Sequence, residues 1–275
     1  MGKFDGILIC TDLDGTLLKD DKTVSSENKE AIEYFKRNGG YFTFVTGRMP
    51  YYAMDICDMV EPNVPFGCVN GGGLYDHVAK KYVYTIEISR DVLKLVDFID
   101  ESFPNVGIQI NTFYHAYFRK ENDVTANTIE VTGIPNLAWR EEEIDEPLSN
   151  VLFCTECEEE MQGVMRALME HPLADQFDFV RSEKALFEVL PHGIGKGVSL
   201  TRLAEYLNVD IGKTVAIGDY NNDISMLKAA GVGIAVANAS KEAKAAADII
   251  TVSNEEHAIA KVIYGLEESW LSYRG

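Results

Sequence analysis

The stretch Ile7-Leu8-Ile9-Cys10-Thr11-Asp12-Leu13-Asp14-Gly15-Thr16 decides how this chain is read. Its apolar first half is strand-like, and a strand alternates its side chains with period two, so Asp12 and Asp14 point to the same side at the strand end. Gly15 and Thr16, turn residues, open the backbone there. Two carboxylates crowded at one strand end repel. The arrangement is tolerable when a divalent cation neutralises them or when one of them carries a proton, and both conditions suit phosphoryl transfer.

Three further fragments fit the same chemistry: Phe42-Thr43-Phe44-Val45-Thr46-Gly47-Arg48, Gly193-Ile194-Gly195-Lys196-Gly197, and Val215-Ala216-Ile217-Gly218-Asp219-Tyr220-Asn221-Asn222-Asp223. In an open parallel sheet the strand carboxyl ends line one edge. An acid, a hydroxyl, a lysine and a second acidic pair can therefore meet in one crevice despite wide separation in sequence. An isolated Asp-x-Asp in so acidic a chain would more often be a solvated turn or a helix-capping pair; four ordered fragments together are specific.

This ordered set resembles the haloacid dehalogenase (HAD) superfamily, and its spacing resembles the Cof-type phosphatases, in which a large cap lies between the second and third motifs. The resemblance covers nearly the whole chain. It implies a Mg²⁺-dependent hydrolase of small phosphorylated metabolites, such as sugar phosphates, in which Asp12 attacks phosphorus to form an aspartyl-phosphate. Asp14 would protonate the leaving alkoxide and then deprotonate water, which requires a raised pKa. It also implies Mg²⁺ held by Asp12, the Asp14 carbonyl and Asp219 with Asp223 in support, and a phosphoryl group met by Thr46, Gly47, Arg48, Lys196 and Asn222. Tyr220 stands where the family often carries a smaller residue, which implies a narrower pocket. A phosphomutase of the same superfamily and a non-catalytic phosphometabolite-binding regulator are the alternative readings. Free phosphate as product distinguishes the first alternative, and the intact motif set counts against the second.

Length and composition agree. At 275 residues the chain accommodates about two domains, and 46% apolar residues can fill substantial cores. A net charge of −19 argues against nucleic acid or an anionic membrane as partner. A small phosphorylated substrate would instead meet a local field from a cation, Lys196 and Arg48, with remote carboxylates screened. No stretch approaches the roughly 20 apolar residues of a membrane helix, and no signal peptide is legible. Five cysteines, an odd number, point to reduced thiols and a cytoplasmic protein, expected as a monomer or small homo-oligomer. Cys154-Thr155-Glu156-Cys157 has metal spacing but no second ligand pair, and reads as free cysteines beside a strand end.

The predicted fold is α/β: a Rossmann-like parallel sheet with helices on both faces, formed by 1–83 and 191–275, plus an inserted α+β cap, 84–190, that selects substrates. A helix begins at Ser25 or Ser26 and stops at Gly39-Gly40. The insertion contains a helix over Asp91 to Glu101, one over Met161 to Glu170, and strands at 106–110, 116–118, 177–180 and 185–190. In the tail, Leu200, Leu203, Ala204 and Leu207 mark a helix face just after Lys196, and strands at 214–217, 232–236 and 248–251 alternate with helices. Asn70-Gly71-Gly72-Gly73 reads as a hairpin turn at least as readily as a substrate contact. Gly212-Lys213-Thr214 lacks the upstream glycine of a P-loop, Gly231-Val232-Gly233 lacks the third glycine of a dinucleotide loop, and no cysteine has an arginine six positions later. The five histidines show no ligand spacing.

Overall fold

The computed structural model describes residues 2–126 and 137–272, with 267–272 described as backbone only. Residues 127–136 of the expected insertion, and the last residues after the terminal helix, lie outside that description. The chain forms two compact units, Met1–Tyr84 with Gly195–Gly275, and Thr85–Ile194.

The first unit opens with β1 (Leu8–Thr11), α1 (Ser26–Arg37) and β2 (Tyr41–Phe44). Ser25 caps α1, its hydroxyl accepting from the Asn28 amide, and Ala31, Ile32 and Phe35 are its buried face. Next come α2 (Met54–Val60) and a three-stranded sheet of β3 (Phe66–Cys68), β4 (Gly73–Asp76) and β5 (Lys81–Thr85), with β3 and β4 antiparallel. Asn70, Gly71 and Gly72 thus lie in the connection of a β3–β4 hairpin, and Gly73 is the first residue of β4, paired with Cys68.

The second unit contains α3 (Val92–Ser102), β6 (Gly107–Thr112), β7 (Ala116–Lys120), β8 (Leu137–Ala138), β9 (Leu148–Cys154), α4 (Glu158–Met169), β10 (Phe177–Glu183) and β11 (Leu186–Pro191). Its sheet runs β10-β11-β9-β6-β7-β8, antiparallel except for the β7–β8 pair. Period two sorts its faces: Ile108, Ile110, Val151, Phe153, Phe187 and Val189 join α3 and α4 in one apolar core. The opposite face carries a buried polar row, Gln109 to Asn111 to Asn150 to Glu188, each amide donating to the next residue. Each link satisfies a polar group that burial would otherwise penalise. This unit runs past 190 because β11 extends to Pro191, paired with Phe177.

The tail adds α5 (Lys196–Leu207), β12 (Thr214–Gly218), α6 (Ile224–Ala229), β13 (Val232–Ala235), α7 (Lys241–Ala246), β14 (Ile249–Ile250) and α8 (Ala258–Ser272). It completes a parallel five-stranded sheet in the order β14-β13-β12-β1-β2. The chain steps one way from β1 to β2 and the other way from β12 to β14. Right-handed crossovers therefore place α1 and α6 on opposite faces, and the β1–β12 boundary is the crevice where such sheets bind ligands. Among the described residues no helix is long and apolar enough to cross a membrane. The five cysteines are free, four of them buried and Cys157 exposed.

Candidate active site

Everything in the candidate site belongs to the first unit and hangs from the carboxyl ends of β1, β2 and β12 and the start of α5. The Asp12 amide donates to the Ile217 carbonyl at 2.8 Å, so β1 stays in register one residue beyond Thr11 and delivers Asp12 beside β12. Gly15 then turns with φ +75°, and a Cβ there would lie 2.6 Å from Asp219 Oδ2. Only glycine fits that turn. The buried Thr16 hydroxyl donates to Asp219 Oδ1 at 2.9 Å, tying the β1 loop to the β12 loop.

Lys196 is the first residue of α5 and is 1% exposed. Its Nζ lies 2.5 Å from Asp12 Oδ1 and 2.6 Å from Asp223 Oδ1. A lysine this deep is stable only when paired. Gly197 lets the helix reach it, since a Cβ there would be 2.5 Å from the Ser225 carbonyl of α6. Asp223 Oδ2 accepts from the Asp219 and Tyr220 amides at 2.8 and 3.0 Å, so both of its oxygens are engaged.

One oxygen each from Asp12, Asp219 and Asp223 fall within 4.8 Å of one another. Three carboxylates face one lysine, which leaves the group with excess negative charge when all are ionised. Burial, and then Asp223, push the Asp12 carboxyl well above the ordinary range against the pull of Lys196. The same causes push Asp219 up to about 6. An oxygen-only donor set with uncompensated negative charge fits a hard divalent cation.

This crowding has a thermodynamic signature. A carboxyl whose folded pKa is raised binds more protons folded than unfolded between its ordinary value and the raised one, so stability grows as pH falls across that window. For Asp219 the window runs from about 6 down to its ordinary 3.8, worth at most ~3 kcal/mol. Carboxylates held low, such as Asp14 and Asp100, stabilise the fold above their ordinary values and lose that contribution only below pH ~4. Chelator-treated protein is therefore expected to melt higher at pH 5 than at pH 7, and Asp219→Asn to shrink that gain. A melting temperature that drops steadily from pH 7 to 5 would contradict the crowding.

Asp14 and Arg48 depart from expectation. The Arg48 guanidinium grips Asp14 at two points, Nε to Oδ2 at 3.0 Å and Nη2 to Oδ1 at 2.8 Å, while Nη1 donates to the Tyr52 carbonyl at 3.1 Å. Lys22 Nζ adds a contact to Asp14 Oδ1 at 2.8 Å. Burial pushes the Asp14 carboxyl up, but Arg48 and Lys22 outweigh it and hold the group below the ordinary range, where a raised value was expected. Arg48, expected as a phosphate ligand, has its fork occupied by Asp14. The Asp14 carboxylate, turned towards Arg48 and Lys22, is outside the Asp12, Asp219 and Asp223 group.

Thr46 is 2% exposed and its Oγ1 accepts from the Arg48 amide at 3.1 Å, leaving its own hydrogen to donate. Gly47 packs against Asn70, whose Nδ2 would be 2.9 Å from a Cβ there. Asn222 Nδ2 donates to Asn70 Oδ1 at 3.1 Å, and Asn222 Oδ1 is buried with no partner among the described residues. Which amide atom is nitrogen rests on the hydrogen-bond network, and exchanging the two amides would keep their mutual bond and turn a donor outward at Asn222.

Sequence reasoning missed Asn238, and it read Asn70 only as part of a hairpin turn or a substrate contact, not as a bridge within the site. Asn70, at φ 48° and ψ 34°, joins the Thr46 loop to Asn222, its amide donating to the Thr46 carbonyl at 3.0 Å. An asparagine at a strand end before three glycines was the available signal, because asparagine tolerates the left-handed region. Asn238 Nδ2 donates to the Gly15 carbonyl at 2.7 Å, and the Ser240 amide donates to the Asp219 carbonyl at 2.8 Å. The loop after β13 is thus a further support of the site.

A haloacid dehalogenase-like hydrolase family model matches residues 9–263 of the chain. Phosphatase YwpJ of Bacillus subtilis is 31% identical, over 93% of this chain and 98% of its own. The 5-amino-6-(5-phospho-D-ribitylamino)uracil phosphatase YitU of the same organism is 29% identical, over 93% and 96%. A solved haloacid dehalogenase-like hydrolase from Bacteroides thetaiotaomicron superposes with a TM-score of 0.82 at 26% identity, over 94% of this chain and 99% of that one.

Proposed function

The chain belongs to the haloacid dehalogenase-like hydrolases and is a phosphatase, and from that premise we propose that it is of their Cof-type subgroup and hydrolyses small phosphorylated metabolites through an aspartyl-phosphate on Asp12 with Mg²⁺ in the acidic pocket. The observation that carries the reading is the group of Asp12, Asp219 and Asp223, two of whose carboxylates, Asp12 and Asp223, are held by the buried Lys196.

Asp12 and Asp219 are the direct side-chain ligands of the cation in this account, with the Asp14 carbonyl. Asp223, both oxygens engaged, anchors Lys196 and the Asp219 loop. When bound, Mg²⁺ supplies positive charge against the phosphoryl oxygens and removes the repulsion between the carboxylates. One Asp12 oxygen attacks phosphorus, and the bond to the leaving oxygen breaks as Asp14 gives it a proton, which Asp14 must take up on substrate binding because Arg48 and Lys22 hold it below the ordinary carboxylate range in the substrate-free site. Asp14 then takes a proton from water as that water attacks phosphorus, releasing inorganic phosphate and restoring the Asp12 carboxylate. Lys196 orients Asp12 and opposes the burial and the Asp223 charge that raise its carboxyl, and the Thr46 hydroxyl, the Gly47 amide and the Asn222 amide donate to the transferring group.

The unit 85–194 serves as the substrate-selecting cap. YitU acts on a phosphorylated polyol by its name, so phosphoribityl compounds and sugar phosphates head the panel for a phosphate-release screen. The test is that screen run with and without metal. Chelation is expected to lower turnover by ~100-fold or more, Mg²⁺ to restore it, and Mg²⁺ to raise the melting temperature by binding only the folded site. Full turnover in metal-stripped buffer with excess chelator would remove the cation from the account.

A further inference from the structure

We infer that Arg48 is a positioning residue for Asp14: it aims the carboxyl that moves the proton, and does not bind the substrate phosphate. The inference rests on the proposed role of Asp14 and adds to it a residue that acts through Asp14 alone.

The backbone of Arg48 and three of its five guanidinium N–H groups are engaged. Its amide donates to Thr46 Oγ1, its carbonyl accepts from the Val69 amide at 3.1 Å, and its Nη1 donates to the Tyr52 carbonyl at 3.1 Å. The backbone and one corner of the guanidinium are thus fixed before Asp14 is reached. Beside that corner, the Nε and Nη2 edge meets both Asp14 oxygens at 3.0 and 2.8 Å. A two-point fork sets the rotation of a carboxylate as well as its place, which a single ammonium cannot do. Lys22 is that single ammonium, on a side chain 57% exposed. Exposed one-point pairs are weak and screened, so Lys22 does not hold Asp14 in its place. Proton transfer in each half of the reaction needs the carboxyl within hydrogen-bond reach of first the leaving oxygen and then water. A displacement of about 1 Å costs on the order of 100-fold.

The test is a double-mutant cycle of Arg48→Ala and Asp14→Asn, read as kcat and KM on an alkyl phosphate. Arg48→Ala is expected to lower kcat by ~100-fold and to leave KM within ~3-fold, as removal of an interaction outside ground-state binding does. In the Asp14→Asn background, removing Arg48 should cost no more than ~2-fold further, because a residue acting only through Asp14 has nothing left to position. With p-nitrophenyl phosphate, whose leaving group departs without a proton, Arg48→Ala should keep the first-turnover burst of nitrophenolate and lose steady-state rate. Should Arg48→Ala fail to fold, Arg48→Lys carries the same cycle, since it keeps the charge and loses the fork. Multiplying losses, or a KM raised ~10-fold or more for both esters with kcat kept, would make Arg48 a phosphate ligand and overturn the inference while leaving Asp14 its role. An Asp14→Asn variant with undiminished alkyl phosphate turnover would overturn both.

Discussion

Asp12→Asn is expected to abolish turnover by ~1,000-fold or more, ~4 kcal/mol of lost transition-state stabilisation, without unfolding the protein. The two consequences separate because of what Asp12 touches. Its carboxylate is the nucleophile of the proposed reaction, and an amide is a poor one that also ligates a hard cation weakly. For the fold, however, Asp12 is a liability: buried, 6% exposed, and repelled by Asp223 and Asp219. Asparagine keeps the shape and removes one of three charges, while Lys196 retains Asp223 as its partner. The metal-free variant should melt at least as high as the metal-free wild type. Turnover above about a tenth of wild type, a loss below ~1.4 kcal/mol, would take the nucleophile's role away from Asp12.

Lys196→Met is expected to lower both stability and activity. The substitution matches the stem and deletes the ammonium from a position 1% exposed, leaving Asp12 and Asp223 without their shared cation. Breaking a buried pair by removing one member costs about 3–5 kcal/mol, a large share of the 5–15 kcal/mol that holds a typical protein folded. At about 2–4 °C per kcal/mol in a chain of this size, metal-free protein at pH 7 should melt ~10 °C lower. Mg²⁺ should return part of the loss, because it replaces charge at the same group, and acidification should return part by protonating the carboxyls. Calorimetry on wild type and variant, with and without Mg²⁺, checks each part. An unchanged melting temperature in chelator would mean the lysine neutralises nothing there.

The legible parts of this protein were those fixed by local pattern. The apolar run into Asp12-Leu13-Asp14 gave both a strand and an acidic strand end, and the strand ends at Phe44 and Gly218 followed by the same logic. Ser25 was readable as a cap because serine before a helical face offers an acceptor to the first turn. Lys196 could be placed at a helix start from the Leu200, Leu203, Ala204 and Leu207 spacing. Boundaries set by pairing were less legible: the insertion reaches Ile194 because Pro191 finds Phe177 across the sheet, and nothing near residue 190 announces that partner.

The same distinction holds inside the site. Which side chains sit at the strand ends was readable, but which partner each one chooses was not. Arg48, two residues beyond Thr46, looks like an anion ligand until Tyr52 and Asp14 are seen to occupy its guanidinium. The acid role implied for Asp14 required a raised pKa, and two cations contributed from 8 and 34 residues away hold it below the ordinary range. Asn70 and Asn238 act through backbone carbonyls and a neighbouring amide, so their roles depend on contacts 24 to 223 residues distant in sequence. Local chemistry nominates the charged groups, and tertiary pairing assigns their protonation and direction.

The measurement closest to the centre of this account is an acid quench of the enzyme during turnover of a good phosphate ester with Mg²⁺, followed by digestion and mass analysis of the segment from Phe4 to Lys19, which tryptic cleavage after Lys3 and Lys19 releases with both Asp12 and Asp14. Acyl phosphates form when a carboxylate is the nucleophile. The expected result is a fraction of that peptide heavier by one phosphoryl group, with fragmentation placing the group on Asp12, and no such species in chelator or in Asp12→Asn. A phosphoryl group on Asp14 or on any other residue, or turnover that proceeds with the peptide unmodified at every quench time in wild type and in the slowed Asp14→Asn variant, would contradict it.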